Sequence, residues 1–298
     1  MNKPIRILLQ TTIPTTEDDW SIERFSLLRE YLAALQDDRG NKLFQVRARN
    51  RESNAEGNDP ILSCLGDSSF DELWLFAVDS GDGLTENDRA GIEAFHRRGG
   101  GILTARDHQD LGSSICNLGA VGPANFFQTK NVDPDSSRHC VDDIYTTNIS
   151  WPNYHSGRNG NYQKIVPTEP VHSLLQRPGS SGGAIEFFPA HPHEGAVGVP
   201  PGEQYGSVIA EGKSLVSDRT FNLAVAIVWP ADDRGHQVGR AVAESTFHHF
   251  CDYNWNADMG CPSFVSEPPG NTMQTEPQAL EDIKTYVRNL GLWLAVKP

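Results

Sequence analysis

Two residues able to do acid–base chemistry stand directly after a short apolar run, residues 102–105. They are Asp107 and His108. A carboxylate beside an imidazole can exchange protons with a substrate, or both side chains can bind a metal ion. Aspartate is also a common N-cap, so Asp107 can equally begin the helix predicted around Leu111 and Ile115. Both interpretations stay open, because one residue can serve both purposes.

A second cluster contains two histidines two positions apart, His191 and His193, followed by Glu194. On an extended segment such side chains point the same way and suit a shared cation, whereas in a turn they are ordinary polar residues. We therefore predict one divalent metal, with zinc favoured, bound by His108, His191 and His193. Zinc lowers the pKa of a bound water, and Glu194 or Glu244 can accept its proton.

The adjacent histidines His248 and His249 follow the last apolar run, residues 240–243. Neighbouring side chains on regular structure point in different directions, so at most one of the two can face a given site. The predicted catalytic set includes His248, with His249 as the alternative. The other histidine is expected to pack against its neighbours.

Aromatic residues next to polar ones indicate contacts to a small polar metabolite such as a sugar. Trp151, Tyr154 and His155 lie together in an irregular segment, and Arg106 and Trp229 stand at the ends of two apolar runs. Aromatic rings stack on sugars while nearby polar groups hydrogen-bond them, so these five residues are predicted to bind substrate. Trp151 and Tyr154 can instead anchor the irregular segment to the rest of the fold.

The positions of these side chains depend on the strands and helices that carry them. Apolar runs predict strands at residues 5–9, 44–48, 73–78, 102–105, 184–188, 208–210, 223–229 and 240–243. Apolar residues at helical spacing predict helices at about residues 21–35, 85–98 and 276–294. The second helix has Thr85 and Asp88 as a capping box and glycines after its end.

The order of these elements predicts how the sheet is built. A strand, a helix and a further strand in succession form a right-handed crossover, which makes the sheet parallel. Residues 117–183 lack regular apolar spacing and are predicted to be an irregular insertion within a single α/β domain, residues 1–298. Ligands bind outside the carboxyl ends of strands in such sheets, so the Asp–His turn and the histidine clusters are expected to meet there.

Composition excludes several classes of protein. A net charge of −14 argues against nucleic acid or an anionic membrane surface as a partner. The sequence has neither a signal peptide nor an apolar run of about 20 residues that could form a membrane helix. The five cysteines are scattered and include no CxxC pair, which argues against disulfides and against a zinc ribbon. These features predict a cytoplasmic protein.

Cys116 is the candidate for a cysteine nucleophile. A nucleophile elbow places its nucleophile at the turn between a strand and a helix. Here that turn contains Arg106 and Asp107, and Cys116 comes about ten residues after the strand. We therefore interpret Cys116 as a buried core thiol.

The order of four segments along the chain indicates a family resemblance. They are residues 70–76 (FDELWLF), 84–85 (LT), 99–103 (GGGIL) and 239–242 (GRAV). In this order the chain resembles the ThuA-like (trehalose-utilisation) proteins of the class I glutamine-amidotransferase-like superfamily, over about residues 4–110 and 220–250. The resemblance implies a flavodoxin-like, doubly wound, mostly parallel sheet and a link to sugar metabolism. Glutaminases of that superfamily carry a cysteine at the post-strand turn and a histidine later in the chain. Since Arg106 and Asp107 take the cysteine's place, glutamine hydrolysis is not expected.

Two functions from different classes fit these features. The first is a hydrolase or sugar-processing enzyme without a cysteine nucleophile, whose predicted catalytic residues are Asp107, His108, Glu194 and His248. The second is a non-catalytic protein that binds a carbohydrate or related metabolite in the same pocket. The metal content of the purified protein separates the two. The C-terminal helix and the insertion are the candidate surfaces for a homo-oligomer.

Overall fold

The first half of the chain forms a parallel sheet with helices between its strands. The computed structural model describes residues 3–119, 121–145, 148–179, 183–231, 233, 235 and 237–295. The first four strands are β1 (Ile5–Thr11), β2 (Phe44–Arg49), β3 (Glu72–Phe76) and β4 (Gly101–Ala105). They lie in the order β2-β1-β3-β4 and pair in parallel. The predicted parallel arrangement is confirmed for this half.

Two helices connect these strands. The helix predicted at residues 21–35 is a 3-10 turn, Ile22–Phe25, followed by helix α1, Ser26–Ala34. Helix α2, Glu86–Arg97, begins with the predicted capping box, in which the Thr85 side chain accepts a hydrogen bond from the Asp88 amide. After α2 the chain turns at Gly99, whose φ of 95° lies in the left-handed region that favours glycine.

The second half extends the same sheet with antiparallel strands. Strand β10 is Gly206–Lys213, β11 is Thr220–Ile227 and β12 is Ala241–Glu244. Strand β12 pairs in parallel with β4, but β11 runs antiparallel to β12, and β10 antiparallel to β11. The sheet is therefore mixed. Its five parallel strands run from the edge strand β2 to β12, and β11 and β10 follow with antiparallel pairing. Because β11 runs in the opposite direction, its carboxyl end lies beside the amino ends of β4 and β12, on the other side of the sheet from their carboxyl ends.

The insertion and the segment that follows it, as far as β9, consist of short elements packed against this sheet. The small strands are β5 (Asn125–Phe126), β6 (Tyr162–Lys164), β7 (Val166–Pro167), β8 (Phe187–Pro189) and β9 (Ala196–Val197). Strand β7 joins the outer edge of the main sheet, beside β10. The strand predicted at residues 184–188 is found in part, as β8, and it pairs with β6 in a separate ribbon rather than with the main sheet. The helix predicted after Asp107 is only a 3-10 turn, Ser113–Asn117.

Helices cover both faces of the sheet, as the doubly wound prediction requires. Alternate residues along the strands face opposite sides, so Trp74 and Phe76 join one core, and Leu73 and Leu75 the other. Helix α1 and the C-terminal helix α5, Pro277–Leu294, cover the first face, and α2 covers the second. Two single-turn helices, α3 (Asp252–Trp255) and α4 (Thr272–Thr275), precede α5. Among the described residues, none of the helices combines the length and apolarity needed to cross a bilayer.

Candidate functional site

Asp107 and His248 are brought together by the pairing of two neighbouring parallel strands. Asp107 follows β4, and His248 lies in a 3-10 turn, Phe247–His249, just after β12. Strands β4 and β12 end side by side, with Ala105 opposite Glu244. As a result, Asp107 Oδ2 lies 3.7 Å from His248 Nε2. The Asp–His turn and the last histidine pair therefore meet at the carboxyl edge of the sheet.

His191 reaches the same point from the segment between β8 and β9. Its Nε2 lies 3.3 Å from Asp107 Oδ1, and its ring stacks on that of His248 with 3.6 Å between the ring centroids. This approach needs Gly195, because a Cβ there would lie 2.5 Å from the Asp107 carbonyl oxygen. The Gly195 amide instead donates a hydrogen bond to the Ser245 carbonyl at 3.1 Å. The segment is thus held against the sheet next to Asp107.

Asp107, His191 and His248 form a buried group of potential metal ligands. One donor atom from each residue lies within 4.8 Å of the other two. The His191 Nε2 atom is buried and makes no hydrogen bond to the described residues, although Asp107 is near. A buried nitrogen without a hydrogen-bond partner is costly unless something else binds it. The donor set therefore fits a cation placed between the three side chains.

Asparagine side chains fix the orientation of three histidines. His191 Nδ1 lies 2.8 Å from Asn159 Oδ1, His248 Nδ1 lies 2.9 Å from Asn254 Oδ1, and His193 Nδ1 lies 3.1 Å from Asn153 Oδ1. Since an amide oxygen only accepts hydrogen bonds, Nδ1 is the donor in each of these contacts, and in His191 and His248 it is the nitrogen that carries the proton.

The asparagine amides are themselves held in place. Asn254 Nδ2 donates to Asn159 Oδ1 at 2.9 Å and to the Ala190 carbonyl at 2.8 Å. The Nε2 lone pairs of His191 and His248 are consequently left for a ligand. Metal-bound histidines are typically held in this way, with the other ring nitrogen donating to a protein oxygen.

Burial sets the charge of the group. The pKa of His191 is lowered to about 4 and that of His248 is lowered well below its ordinary value, chiefly because burial disfavours the imidazolium. Burial alone would raise the pKa of Asp107, but the imidazoles of His191 and His108 outweigh it and hold that pKa well below the usual range. Near neutral pH the three residues are one carboxylate and two neutral imidazoles, the forms that bind metals.

His108 and His193 flank this group without joining it. His108 Nδ1 lies 3.4 Å from Asp107 Oδ2, while His193 Nε2 lies 2.9 Å from Glu267 Oε1. The residues around His191 and His193 form a turn, which is the second of the two conformations considered for this segment, and the two rings stand at 81° to each other. Of the three predicted metal ligands, only His191 is therefore in the group that the structure brings together.

The group lies at the bottom of a cavity of about 390 Å³. The polar lining residues are Asp19, Ser80, Asp107, His108, Asn159, His191, His193, His248, Ser266 and Glu267, and the apolar ones are Trp20, Val78, Leu111, Ile149, Phe247, Phe264 and Val265. Three of them are carboxylates, and neither lysine nor arginine is among the lining residues that the structure describes. The cavity therefore repels anions and suits an uncharged or cationic molecule.

Glu194, predicted as a catalytic base, is buried behind the cavity. Its Oε1 accepts a hydrogen bond from Ser156 Oγ at 2.6 Å and its Oε2 one from Ser245 Oγ at 2.7 Å. His249 Nε2 lies 3.4 Å from Glu194 Oε2, and His249 Nδ1 lies 3.0 Å from Glu244 Oε2. Neither Glu194 nor Glu244, which is buried in the same network, lines the cavity, so the structure does not place the predicted proton acceptor beside the metal-binding group.

The carboxylates of Glu194 and Glu244 determine the protonation state of His249. Burial favours the neutral ring, but Glu194 and Glu244 outweigh it and raise the pKa of His249 to about 9. His249 is thus a buried imidazolium between two acids, and His248 is the one of the pair that lines the cavity.

The structure places none of the five predicted substrate-binding residues in the cavity lining. The Arg106 guanidinium is buried, donates to the Phe126 carbonyl and lies over the Phe127 ring. Burial lowers the pKa of Arg106 to about 9. Its contacts lie inside the fold, because successive residues after β4 point to different sides.

The three aromatic residues of the insertion anchor it. The Trp151 ring packs against His139 at a tilt of 31°, with 4.0 Å between ring centroids, and Tyr154 stacks on Phe221 of β11 at 4.6 Å. His155 Nδ1 lies 3.2 Å from the Pro192 carbonyl. These contacts support the alternative in which such residues fix the irregular segment to the sheet.

Trp229 lies at the opposite ends of the strands from the histidines. It follows β11, whose direction is opposite to that of β4 and β12, and its ring packs against His96 of α2 at 4.9 Å. The prediction that Trp229 shares a rim with the histidines is wrong because it assumed that β11 is parallel.

Several cavity-lining residues were not predicted from the sequence, among them Trp20, Asn159 and Glu267. Trp20 comes from the loop after β1, and its ring lies 4.6 Å from that of His248. Asn159 belongs to the insertion, and Glu267 lies in the segment between α3 and α4. Trp20 could have been predicted, because it lies in the loop after the first strand, where ligands bind in such sheets. Asn159 and Glu267 belong to no pattern that could have identified them.

No cysteine lines the cavity among the residues that the structure describes. All five cysteines are free thiols. Cys116 is half-buried in the 3-10 turn after β4, and burial raises its pKa. Cys251 Sγ lies 3.0 Å from Asn254 Oδ1, and burial raises the pKa of this thiol well above its ordinary value. Neither is an activated thiolate.

Comparison with known proteins gives only distant structural likenesses. No protein family model matches the sequence, and no curated protein matches it. The fold is similar to the glutaminase domain of Trypanosoma brucei CTPS, solved with bound acivicin, at 13% identity and a TM-score of 0.45, covering 95% of this chain and 94% of that one. It is also similar to a ThuA-like protein from Parabacteroides merdae, at 13% identity and a TM-score of 0.45, covering 99% and 91%. Both kinds of protein were named by the sequence resemblance, but likeness at this level carries no argument about the reaction.

Proposed function

We propose that this protein is a metal-dependent hydrolase of a small, uncharged polar metabolite, with a sugar or sugar derivative as the leading candidate. One observation carries the proposal: the buried donor atoms of Asp107, His191 and His248 converge within 4.8 Å at the bottom of a cavity. The asparagines behind both histidines support the same interpretation, as does the His191 Nε2 atom, which has no hydrogen-bond partner among the described residues.

Zinc is the favoured metal. Two imidazoles and one carboxylate make up a ligand set found in catalytic zinc sites, which keep a further position open for water or substrate. Imidazole also favours zinc over magnesium or calcium, which prefer all-oxygen sites. When bound, the metal would act as a Lewis acid and lower the pKa of a water molecule. The chain's own residues would orient that water towards the substrate in the cavity.

The lining of the cavity favours an unphosphorylated substrate. Asp19, Asp107 and Glu267 supply negative charge, and no lining residue that the structure describes supplies a fixed positive one. With a zinc ion bound, its two positive charges would offset two of these three negative ones and leave about one negative charge, so an uncharged substrate is favoured over a phosphate or a carboxylate. Trp20 and Phe264 offer apolar surface against which the C–H face of a sugar can pack, while His108 and Asn159 can hydrogen-bond its hydroxyl groups.

We also propose that the protein acts without a cysteine nucleophile and works in the cytoplasm. The turn after β4 contains Arg106 and Asp107 rather than cysteine, and the thiols of Cys116 and Cys251 have raised pKa values. Glutamine hydrolysis through a thioester is therefore not expected. Five free thiols fit a reducing compartment.

Metal stoichiometry tests the proposal first. The purified protein is stripped with a chelator, reloaded with zinc, passed through a desalting column and analysed for metal. The wild type should retain about one zinc per chain. Asp107→Asn, His191→Ala and His248→Ala should each lose it. His139→Ala, which changes a histidine that packs against Trp151 away from the cavity, should retain it.

Turnover tests the reaction class. The zinc-loaded protein is assayed with matched uncharged and phosphorylated sugar esters, lactones and glycosides. We expect zinc-dependent hydrolysis of an uncharged compound, lowered at least about 100-fold by Asp107→Asn. A wild type that retains no zinc, or that retains zinc equally well in all three variants, would refute the proposed site. Sugar binding without any turnover would identify a non-catalytic binding protein instead.

A further inference from the structure

Glu267 lines the cavity and is held by a chain of hydrogen bonds from the insertion. Its Oε1 lies 2.9 Å from His193 Nε2, and His193 Nδ1 lies 3.1 Å from Asn153 Oδ1. The Asn153 amide donates in turn to the Ile149 carbonyl at 3.2 Å. The Glu267 side chain is only 9% exposed, although it comes from an otherwise exposed segment. Both ring nitrogens of His193 therefore serve to fix this one carboxylate.

The Glu267–His193 pair stands beside the proposed metal ligands. The His193 ring lies 5.8 Å from the His191 ring and 5.5 Å from the His108 ring, and all three residues line the same cavity as Glu267. The hydrogen bond from His193 lowers the pKa of Glu267, so its carboxylate is ionised near neutral pH. An ionised carboxylate next to the ligands, but outside their group, can accept a proton.

The other carboxylates near the site cannot take this role. Asp107 belongs to the metal-binding group. Glu194 and Glu244 are fully buried, face His249 and do not line the cavity. Asp19 lines the cavity, but its Oδ1 accepts the Trp20 amide at 2.7 Å and it has no histidine partner among the described residues. Glu267 is therefore the carboxylate that combines access with a fixed orientation.

We propose that Glu267 is the proton acceptor and donor of the active site and that His193 is the residue that positions it. The inference rests on the proposed hydrolase function. As a water oxygen forms a bond to the electrophilic carbon of the substrate, one O–H bond of the water breaks and its proton passes to Glu267. As the bond to the leaving group then breaks, Glu267 returns the proton to it. Water and substrate are consumed, two products form, and Glu267 is regenerated.

A small metal-binding acid tests this assignment without knowledge of the substrate. Acetohydroxamic acid binds zinc as its anion, so its proton must go to a nearby base or to the buffer. Azide binds as an anion and has no proton to give. Calorimetric titrations of both are compared for zinc-loaded wild type, Glu267→Gln and Glu30→Gln, in two buffers of different ionisation enthalpy. Glu30 is 67% exposed on α1, so it controls for the chemical change.

The expected change in affinity for acetohydroxamic acid is opposite in sign to the change that losing one negative charge would cause by itself. Removing a negative charge should leave azide affinity unchanged or raise it. Acetohydroxamic acid should bind Glu267→Gln at least about tenfold more weakly, because the hydrogen bond to a protonated Glu267 is lost. The wild type should release almost no proton to the buffer, and Glu267→Gln about one. Glu30→Gln should match the wild type in every measurement.

Each other outcome counts against the assignment. If zinc-loaded wild type fails to bind acetohydroxamic acid, or releases a full proton on binding it, the metal has no proton acceptor beside it. If Glu267→Gln binds it as the wild type does, the acceptor is another residue. In both cases the metal site itself would stand, since zinc content is measured on the same samples. A wild type that holds no zinc would overturn the proposed function and this inference together.

Discussion

At the scale of single residues, two asparagines determine which nitrogen of His191 and of His248 is left to bind a metal ion. Asp107, His191 and His248 were singled out by residue type and by their positions after apolar segments. The asparagines that fix their rings, Asn159 and Asn254, come from segments with no apolar spacing. A hydrogen bond between residues 95 positions apart, such as that between these two amides, depends on the tertiary fold.

Replacing Asn254 by alanine should weaken zinc binding about 10–100-fold. The change removes the acceptor for the Nδ1 proton of His248, so the ring loses its fixed tautomer and orientation. The affinity is measured by competition with a chromophoric chelator. Asn41→Ala is the control, because the Asn41 amide bonds Asp37 in a surface turn. Equal zinc affinity in Asn254→Ala and wild type would show that the asparagine does not support a metal ligand.

At the scale of elements, the sequence predicted the positions of the strands more accurately than their directions. Strands β1, β3 and β4 were identified because they are apolar on both faces, as central parallel strands must be. The direction of β11 was predicted wrongly, although residues 214–219 are too short a connection for a parallel pair. That error moved Trp229 to the wrong edge of the sheet. The ribbon of β6 and β8 was missed because such short strands carry no periodic signal.

The contact between Trp229 and His96 predicts how stability depends on pH. Burial lowers the pKa of His96 to about 4, whereas histidine in an unfolded chain has a pKa of about 6.5. Below pH 6.5 the unfolded chain therefore binds a proton that folded His96 does not, so this contribution to stability is present above 6.5 and is lost as the pH falls towards 4.

The variant His96→Gln isolates this effect from the titration of carboxylates. Urea denaturation should show that the free energy of unfolding falls by about 1–3 kcal/mol more in the wild type than in the variant between about pH 7 and pH 4.5. Parallel pH profiles for the two proteins would mean that His96 can be protonated in the folded state.

At the scale of the whole molecule, a buried polar network joins the C-terminal helix to the floor of the cavity. The Tyr286 hydroxyl of α5 donates to Glu244 at the end of β12, Glu244 contacts His249, and His249 contacts Glu194 beside His193. Nothing in the sequence separates buried Glu194 from Glu267, since both are single glutamates near turns. Their different surroundings arise only when α5, β12 and the insertion pack together.

Tyr286→Phe should lower the free energy of unfolding by about 1–3 kcal/mol, because it leaves a buried Glu244 oxygen without its donor. The comparison is Tyr31→Phe on α1, whose hydroxyl makes no hydrogen bond to the described residues and whose loss should change stability by less than about 0.5 kcal/mol. Equal denaturation midpoints for Tyr286→Phe and the wild type would show that the network does not stabilise the docking of α5.

A metal at the carboxyl edge of the sheet is the central claim, and anomalous X-ray diffraction from zinc-loaded crystals tests it most directly. Data collected on both sides of the zinc absorption edge should give one strong peak, about 2.0–2.2 Å from a carboxylate oxygen of Asp107 and from the Nε2 atoms of His191 and His248. A fully loaded crystal with its zinc bound elsewhere, or with no ordered zinc at all, would contradict the account.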